Sequence, residues 1–251
     1  LAVAAHATCA PLNAAYSASE LDAYLAGVRA HALIIQAGLA SPARAVAQAR
    51  GLGVIELSPV LAAEAGIFTL MGEEQPRPEP PAFALPNDVA FVLHTAGTTS
   101  RPKIVPLTHS NICTAAHNLR LAFQLVESDR CLNVLPLFHV HALQTALLTS
   151  LVAGASIVCP PGFYAPQFFA WLAAFRRTWY TPVPTIHQAI LARAPLHRAI
   201  IARCPLRFIR SASAALPLQV LTELEEVFHT QVVETYGATE VSGHITCQPL
   251  P

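Results

Sequence analysis

The sequence has few charged residues and no excess of either sign. Lysine and arginine together number 15, and aspartate and glutamate also number 15, so the formal net charge is zero. A surface without a positive excess does not attract polyanions. This balance argues against nucleic-acid binding as the main function.

The sequence also lacks a long uninterrupted apolar run. Hydrophobic residues make up 53% of the chain and charged residues only 12%, which raises the question of a membrane protein. The most apolar region is residues 131–163. Helix-breaking and polar residues interrupt it at Pro136, His139, His141, Gln144, Gly154, Pro160 and Pro161. They leave no span of the length that crosses a bilayer. We therefore predict no membrane span and interpret the region as a buried helix followed by a buried strand, with a transmembrane helix as the lesser alternative.

No cysteine pair has metal-site or redox spacing. The six cysteines are Cys9, Cys113, Cys131, Cys159, Cys204 and Cys247. A chain whose cysteines are isolated and that shows no signal peptide is typical of a reducing compartment. We therefore expect a cytoplasmic protein. The sequence starts without methionine and ends at "CQPLP", which predicts an interior piece of a longer chain. A removed organelle-targeting segment therefore stays open.

Strand-like and helix-like segments alternate, which predicts an α/β fold with mostly parallel sheets. A capping box from Ser17 to Glu20 predicts a helix start. The segments that favour strands are HALIIQA, GVIEL, VAFVLHT, CLNVLPL, ASIVCP, TWYTPV, LRFIRSAS and QVVETYG. Gly51 and Gly53 precede a strand, so they predict a turn and not a dinucleotide-binding motif. The proline-rich residues 72–88 are predicted to be an exposed linker.

A hydroxyl-rich segment follows the strand VAFVLHT. We predict residues 95–107 to be a loop and Thr108 to be the N-cap of a helix that runs to about Gln124. Main-chain amides, hydroxyls and the lysine in "TAGTTSRPK" suit a polyphosphate. The segment is not a Walker A loop, because Pro102 precedes Lys103 and no helix follows directly. The alternative is a flexible surface loop rich in turn residues.

Four segments resemble the adenylate-forming superfamily of acyl-CoA synthetases, luciferases and peptide-synthetase adenylation domains. "HTAGTTSRPKIVPLTHSN" resembles its phosphate-binding signature, T-S-G-T-T-G-x-P-K-G. "PLFHVHAL" is similar to its acyl-gate segment, "RSASAALP" to its small-residue loop, and "ETYGATE" to its Y-G-x-T-E motif. The likeness spans essentially the whole chain and is strongest to fatty-acyl and oxalate–CoA ligase-like members. Ala96, Ser100 and Ile104 depart from the signature, so we expect a working but altered loop.

The resemblance implies ATP-dependent activation of a small-molecule carboxylic acid, one whose size is not assigned, followed by thioester formation with coenzyme A. It implies catalytic roles for Lys103, Thr239 and Glu240, with Glu240 also binding Mg²⁺. The nucleotide would contact Thr95, Ala96, Gly97, Thr98, Thr99, Ser100, Lys103, Ser213, Ala214, Ala215, Glu234, Thr235, Tyr236, Gly237 and Thr239. The acyl pocket would include His139, Gly237 and Ala238. Fatty acid metabolism is the implied setting.

Each of these residues has a plainer interpretation. Glu240 could be a solvated acid at a strand end, Tyr236 a core residue, and His139 a hydrogen-bonded core histidine. His139 and His141 lack a third metal ligand, which disfavours a metal pair. His187 is predicted to lie on a helix surface or a pocket wall.

The resemblance also implies the architecture. Residues 1–120, with the phosphate-binding loop 94–104, would form one αβα subdomain and residues 131–251 a second, with ligands between them. The family's C-terminal lid, with its catalytic lysine, would be missing from these 251 residues, so we expect weak or absent turnover and self-association through exposed apolar surfaces. The alternative function is a non-catalytic nucleotide- or acyl-binding module derived from such an enzyme. Gly243 stands where oxalate-type members have histidine, so the acid is left unassigned.

Overall fold

The computed structural model describes residues 1–72, 82–95 and 103–250, which form two compact units. The smaller unit is Leu12–Phe83, and the larger combines Leu1–Pro11 with Ala84–Pro251. The predicted division into subdomains 1–120 and 131–251 stays a prediction. Within the described residues, every helix is too short or too polar to cross a bilayer.

The smaller unit is a three-stranded sheet with two helices. Its elements are α1 (Ala18–Gly27), β1 (Ala32–Gln36), α2 (Ala43–Ala49), β2 (Gly53–Pro59) and β3 (Phe68–Met71). β1 and β2 are parallel, and β3 lies antiparallel at the edge. The capping box is confirmed, since the Ser17 hydroxyl accepts from the Glu20 amide and the Glu20 carboxylate from the Ser17 amide. β3 was not predicted, and all four of its residues are exposed.

The larger unit contains most of the alternating strands and helices that the sequence predicts. Its elements are β4 (Val89–Thr95), β5 (Lys103–Thr108), α3 (His109–Ala122), β6 (Arg130–Leu132), a π-helix (His141–Leu148) that continues into α4 (Thr149–Val152), β7 (Ser156–Val158), α5 (Ala165–Phe175), β8 (Trp179–Tyr180), α6 (Pro184–Leu191), a 3₁₀ turn (Ala194–His197), α7 (Arg198–Arg203), β9 (Phe208–Ser211), α8 (Leu218–Phe228), β10 (Val232–Tyr236), a 3₁₀ turn (Thr239–Val241) and β11 (Thr246–Cys247). The main sheet has the order β11-β10-β9-β8-β6-β7, and all neighbours are parallel except β10 and β11. The predicted α/β class is confirmed.

Helices cover both faces of the main sheet. On one face, Tyr180 and Ile209 pack among buried side chains of α5, α6 and α8. On the other, Trp179 and Phe208 pack with Phe123, which follows α3. Neighbouring residues of β8 and β9 therefore point to opposite faces, as the two-residue period of a strand requires. Because β6 to β10 are parallel, their carboxyl ends all lie at the same end of the sheet. We call this end the carboxyl edge and the opposite end the amino edge.

The prediction that residues 95–107 form a loop was wrong for its second half. Residues 103–108 form β5, which pairs antiparallel with β4 and brings Thr95 opposite Lys103. Val105 and Leu107 are buried and alternate with exposed Ile104 and Pro106, which is the period of a half-buried strand. A proline is tolerated there because, among the described residues, β5 pairs with β4 alone and is an edge strand. The predicted N-cap at Thr108 is confirmed, with the hydroxyl accepting from the Asn111 amide.

Candidate functional site

The candidate site lies at the carboxyl edge of the main sheet, where β8, β9 and β10 end. Thr181 follows β8, the segment 212–217 follows β9, and the segment 237–243 follows β10. Ligands of parallel sheets bind outside this edge, since the loops there converge. The edge therefore brings together two segments that the sequence analysis assigned to one nucleotide site, Ser213–Ala215 and Tyr236–Glu240.

The turn that carries Glu240 lies against the β4–β5 hairpin. Cα atoms of Thr239–Val241 and of β5 approach within 8 Å of each other. Thr95 and Lys103 form the last pair of the two strands, on either side of the connecting residues 96–102. The predicted phosphate-binding residues Ala96, Gly97, Thr98, Thr99 and Ser100 lie outside the described residues. The described parts nevertheless place the two ends of that segment on a hairpin that contacts the Glu240 turn.

Glu240 has the free carboxylate that a magnesium ion requires. Glu240 is exposed, and within the described residues no ion pair or hydrogen bond occupies its side chain. Mg²⁺ is commonly held by one or two protein carboxylates together with substrate phosphates. No group of three or more histidine, cysteine or acidic side chains among the described residues could hold a metal by itself. The single carboxylate fits an ion that arrives with a nucleotide.

Tyr236 is not a core residue. It is 68% exposed at the end of β10, so its ring is accessible to a planar ligand. Ser213, Ala214 and Ala215 are also exposed at the same edge. The interpretation of Tyr236 as plain core was therefore wrong, while its contact with adenine stays a prediction.

The side chains of Glu234 and Thr235 differ in their hydrogen bonding within the protein. The Glu234 carboxylate accepts a hydrogen bond from the Leu216 amide at 3.2 Å, which ties β10 to the loop after β9. Thr235 Oγ1 is buried and has no hydrogen-bond partner among the described residues. Glu234 thus positions the predicted adenine loop, and direct contact of either side chain with a nucleotide stays a prediction.

The loop after β10 closes on itself at two glycines. A Cβ on Gly237 would collide with the main-chain carbonyl of Gly243, so only glycine permits this approach. Gly243 has φ of +90°, the left-handed region, and lies against Val140 at the start of the π-helix. The two glycines hold Ala238, Thr239 and Glu240 in a compact turn beside the hairpin.

His139 and His141 have different environments. His139 is exposed, and its ring lies 4.4 Å from the Phe138 ring. It is therefore not a core histidine, and its role as an acyl gate stays a prediction. His141 is 7% exposed and begins the π-helix. Sequence reasoning considered His141 only as a metal ligand and missed the buried cluster that it forms.

That cluster joins His141 to Arg210, Thr181 and Ser213. The Arg210 guanidinium donates to Thr181 Oγ1 at 2.9 Å and to His141 Nε2. A guanidinium only donates, so Nε2 must accept from Arg210, and Thr181 Oγ1 lies 2.7 Å from the same nitrogen. The proton of the neutral ring lies on Nδ1, which donates to Ser213 Oγ at 3.0 Å. The Ser213 hydroxyl proton is therefore not used in this bond, and Ser213 is exposed.

Burial keeps His141 and the nearby histidines His187 and His244 neutral. Burial and the nearby Arg210 charge hold the pKa of His141 well below its usual range. Burial lowers the pKa of His187 to about 4, and burial with the Arg210 charge lowers the pKa of His244 to about 4. His187 is fully buried in α6, so it does not lie on a helix surface.

Arg210 is the cation that sequence reasoning missed at this edge. It is 1% exposed, and burial lowers its pKa to about 9. Within the described residues, none of the ion pairs involves it. Its position inside the segment "RSASAALP" was a signal, since a charged residue in an apolar strand needs a polar partner.

Comparison with known proteins assigns this arrangement to a family. The family model for AMP-binding enzymes matches residues 2–251. A probable CoA ligase of Humulus lupulus, CCL9, is 40% identical over 98% of this chain and 47% of its own length. An oxalate–CoA ligase of Arabidopsis thaliana is 40% identical over 99% of this chain and 49% of its own.

Solved structures have the same fold. A malonyl-CoA ligase in a ternary product complex with methylmalonyl-CoA and AMP superposes with a TM-score of 0.80 at 26% identity, over 98% of this chain and 49% of that one. ATP-bound MatB from Rhodopseudomonas palustris gives a TM-score of 0.77 at 27% identity, over 95% and 46%. The chain spans about half the length of the curated relatives that it matches.

Proposed function

Because the chain belongs to the AMP-binding enzyme family, we propose that the whole protein is an ATP-dependent acyl-CoA synthetase. It activates a carboxylic acid by attack on the α-phosphate of ATP, with release of pyrophosphate. The thiol of coenzyme A then takes the acyl group from the adenylate. The chain described here supplies the nucleotide and acyl surfaces of that reaction.

One observation carries the proposal most strongly. The turn Thr239–Val241 lies against the β5 strand whose first residue, Lys103, pairs with Thr95. This proximity supports one site in which residues 95–103 hold the pyrophosphate portion and Thr239 hydrogen-bonds the α-phosphate. Such chemistry depends on positioning and charge neutralisation, which two converging loops supply.

Other residues of the edge bind and orient the substrates. Tyr236 lies against the adenine and Ser213–Ala215 line its other side, which their exposure supports. Glu240 holds Mg²⁺, which would neutralise charge on the phosphate oxygens when bound. Lys103, exposed at the end of the hairpin, adds a positive charge near the phosphates.

The acid is proposed to be short and to carry a second polar or anionic group. The Ser213 hydroxyl is free to donate at the exposed edge, and the buried Arg210 charge behind it favours an acceptor or an anion there. Relatives include an oxalate–CoA ligase of Saccharomyces cerevisiae and a sulfoacetate–CoA ligase of Cupriavidus necator. A hydrocarbon acyl chain would displace water from the Ser213 hydroxyl without offering it an acceptor.

A substrate screen tests the proposal. The full-length protein would be assayed for ATP–pyrophosphate exchange and for CoA-dependent AMP release with oxalate, malonate, sulfoacetate, butyrate and octanoate. We expect exchange with at least one short polar acid and little with octanoate. Exchange with octanoate alone would overturn the substrate class but leave the synthetase in place.

The alternative is a non-catalytic nucleotide- or acyl-binding module, a class that the same fold allows. It predicts that the full-length protein binds ATP but gives no exchange with any acid of the panel. AMP release that depends on both acid and CoA would rule it out.

The proposed location is the cytoplasm. All six cysteines are free thiols in the structure, which suits a reducing compartment. Fractionation of cells that express the tagged full-length protein tests this, and recovery in an organelle would contradict it.

A further inference from the structure

A cleft lined by arginines lies at the amino edge of the main sheet, where its parallel strands begin. This is the end of the sheet opposite to the candidate nucleotide site. A cavity of about 660 Å³ is lined by Arg176, Arg177 and Arg203, together with Thr178 and Cys204. Arg176–Thr178 directly precede β8, and Arg203 lies in the chain that leads into β9. The cleft is therefore separated from the nucleotide site by the length of the strands.

Arg177 is the unusual member of this cleft. It is 6% exposed, yet its Nε and Nη1 atoms have no hydrogen-bond partner among the described residues. Its guanidinium carbon lies 4.9 Å from the centre of the Phe175 ring, and this contact supplies no hydrogen-bond acceptor. A buried guanidinium without an acceptor is costly, and native proteins seldom keep one without a function.

Nearby charges do not neutralise Arg177. Burial lowers its pKa to about 10, and the neighbouring charge that lowers it further is Arg130, another cation. The carboxylate in this region, Asp129, is already held by Arg207, by the Thr178 hydroxyl at 2.7 Å and by the Val126 amide. The cleft thus has an excess of positive charge.

Helix ends explain only part of this arginine cluster. Arg176 follows the last turn of α5 and Arg203 lies in the last turn of α7, where cations are favoured by the helix dipole. Arg203 Nε also donates to the Ala199 carbonyl of its own helix at 3.2 Å. Neither effect supplies an acceptor to the buried nitrogens of Arg177.

We propose that this cleft is a second binding site, for a small molecule that carries phosphate groups. The Arg177 guanidinium donates to a phosphate oxygen, and Arg176 and Arg203 add charge at the mouth of the cavity. A recessed cavity of this volume suits a phosphorylated metabolite. The site is independent of the proposed synthetase reaction, since it lies at the other edge of the sheet.

Calorimetric titration with sodium tripolyphosphate tests the site. All proteins would be full length and carry Lys103→Met, so that any contribution of the nucleotide edge is the same in each. Arg177→Met is compared with Arg198→Met, an exposed arginine at the other end of α7. We expect Arg177→Met to weaken binding by about tenfold or more, because a charge-assisted hydrogen bond is lost, and Arg198→Met to bind as the parent does.

If Arg177→Met fails to fold, Arg203→Met is the second variant that tests the proposal. Arg203 is exposed, and we expect its loss to weaken binding by about threefold or more through lost charge at the mouth. The proposal is overturned if the parent does not bind tripolyphosphate. It is also overturned if a folded Arg177→Met, or Arg203→Met in its place, binds as tightly as Arg198→Met.

Discussion

The two edges of the main sheet use their charged residues in opposite ways. At the carboxyl edge, Arg210 donates into a chain of hydrogen bonds that ends at an exposed hydroxyl. At the amino edge, Arg207 is held by Asp129, while two buried nitrogens of Arg177 have no acceptor in the part of the chain that the structure describes. The comparison teaches that a buried arginine can either organise a site through neutral partners or keep nitrogens that no side chain pairs, as in the cleft proposed above to bind phosphate. The predictions below test this difference, in order of decreasing effect.

The largest expected effect is at the amino edge, in the Arg207–Asp129 pair. Arg207→Met leaves the buried Asp129 carboxylate without its two guanidinium bonds, of 2.9 and 3.1 Å. We expect a loss of about 3 kcal/mol in the free energy of unfolding, measured by urea titration. Arg50→Met removes an exposed pair with Asp22 and should cause no measurable change. Equal effects of the two variants would show that burial does not distinguish the pairs.

At the carboxyl edge the expected effect depends on pH. His187 and His244 have pKa values of about 4 in the folded chain, against about 6.5 for an unfolded histidine. The unfolded chain therefore binds more protons as the pH falls from about 6.5 to 4, and stability is lost over that window. Each histidine should remove about 2 kcal/mol of unfolding free energy between pH 7 and pH 5.

Urea titration at the two pH values measures this loss. His187→Gln should reduce the pH dependence, and the exposed His31→Gln should keep it. A wild-type stability that does not change between pH 7 and pH 5 would contradict the neutral state of the buried histidines.

A smaller effect is expected where the loop after β10 closes. Gly237→Ala puts a Cβ against the Gly243 carbonyl, so the backbone must move, at a cost of about 1 to 2 kcal/mol. The turn that carries Thr239 and Glu240 should move with it, and ATP–pyrophosphate exchange should fall. Gly162→Ala is the matched control, because its Cβ would meet no atom within 4 Å. A normal exchange rate in Gly237→Ala would show that the close approach does not position the turn.

The sequence predicted the fold class and most of the main sheet, because apolar strands and capped helices are encoded locally. Ser17 with Glu20, and Thr108, marked helix starts that the structure confirms. β5 was missed because Pro106 and the polar residues before it are typical of a loop, and only pairing with β4 makes it a strand. α7 was missed because proline residues precede and follow it, and its burial against α5 decides its structure.

The candidate site was predictable as motifs but not as a hydrogen-bond network. The segments at 213–215 and 234–240 were assigned to one site, and the structure brings them to one edge. The link from Arg210 through His141 to Ser213 joins residues about 70 positions apart in the chain, so local patterns do not show it. The amino-edge cleft was missed for the same reason, since Arg177 and Arg203 meet only after β8 and β9 pair.

The most direct test of the nucleotide site is the effect of Mg²⁺ on ATP affinity, measured by calorimetry on the full-length protein. In the wild type and in the exposed control Glu223→Gln, we expect Mg²⁺ to tighten ATP binding by about tenfold or more, since the Glu240 carboxylate would hold the ion that accompanies the nucleotide. In Glu240→Gln that gain should be lost, while binding of ATP without the ion is unchanged. An equal gain from Mg²⁺ in Glu240→Gln would contradict the account.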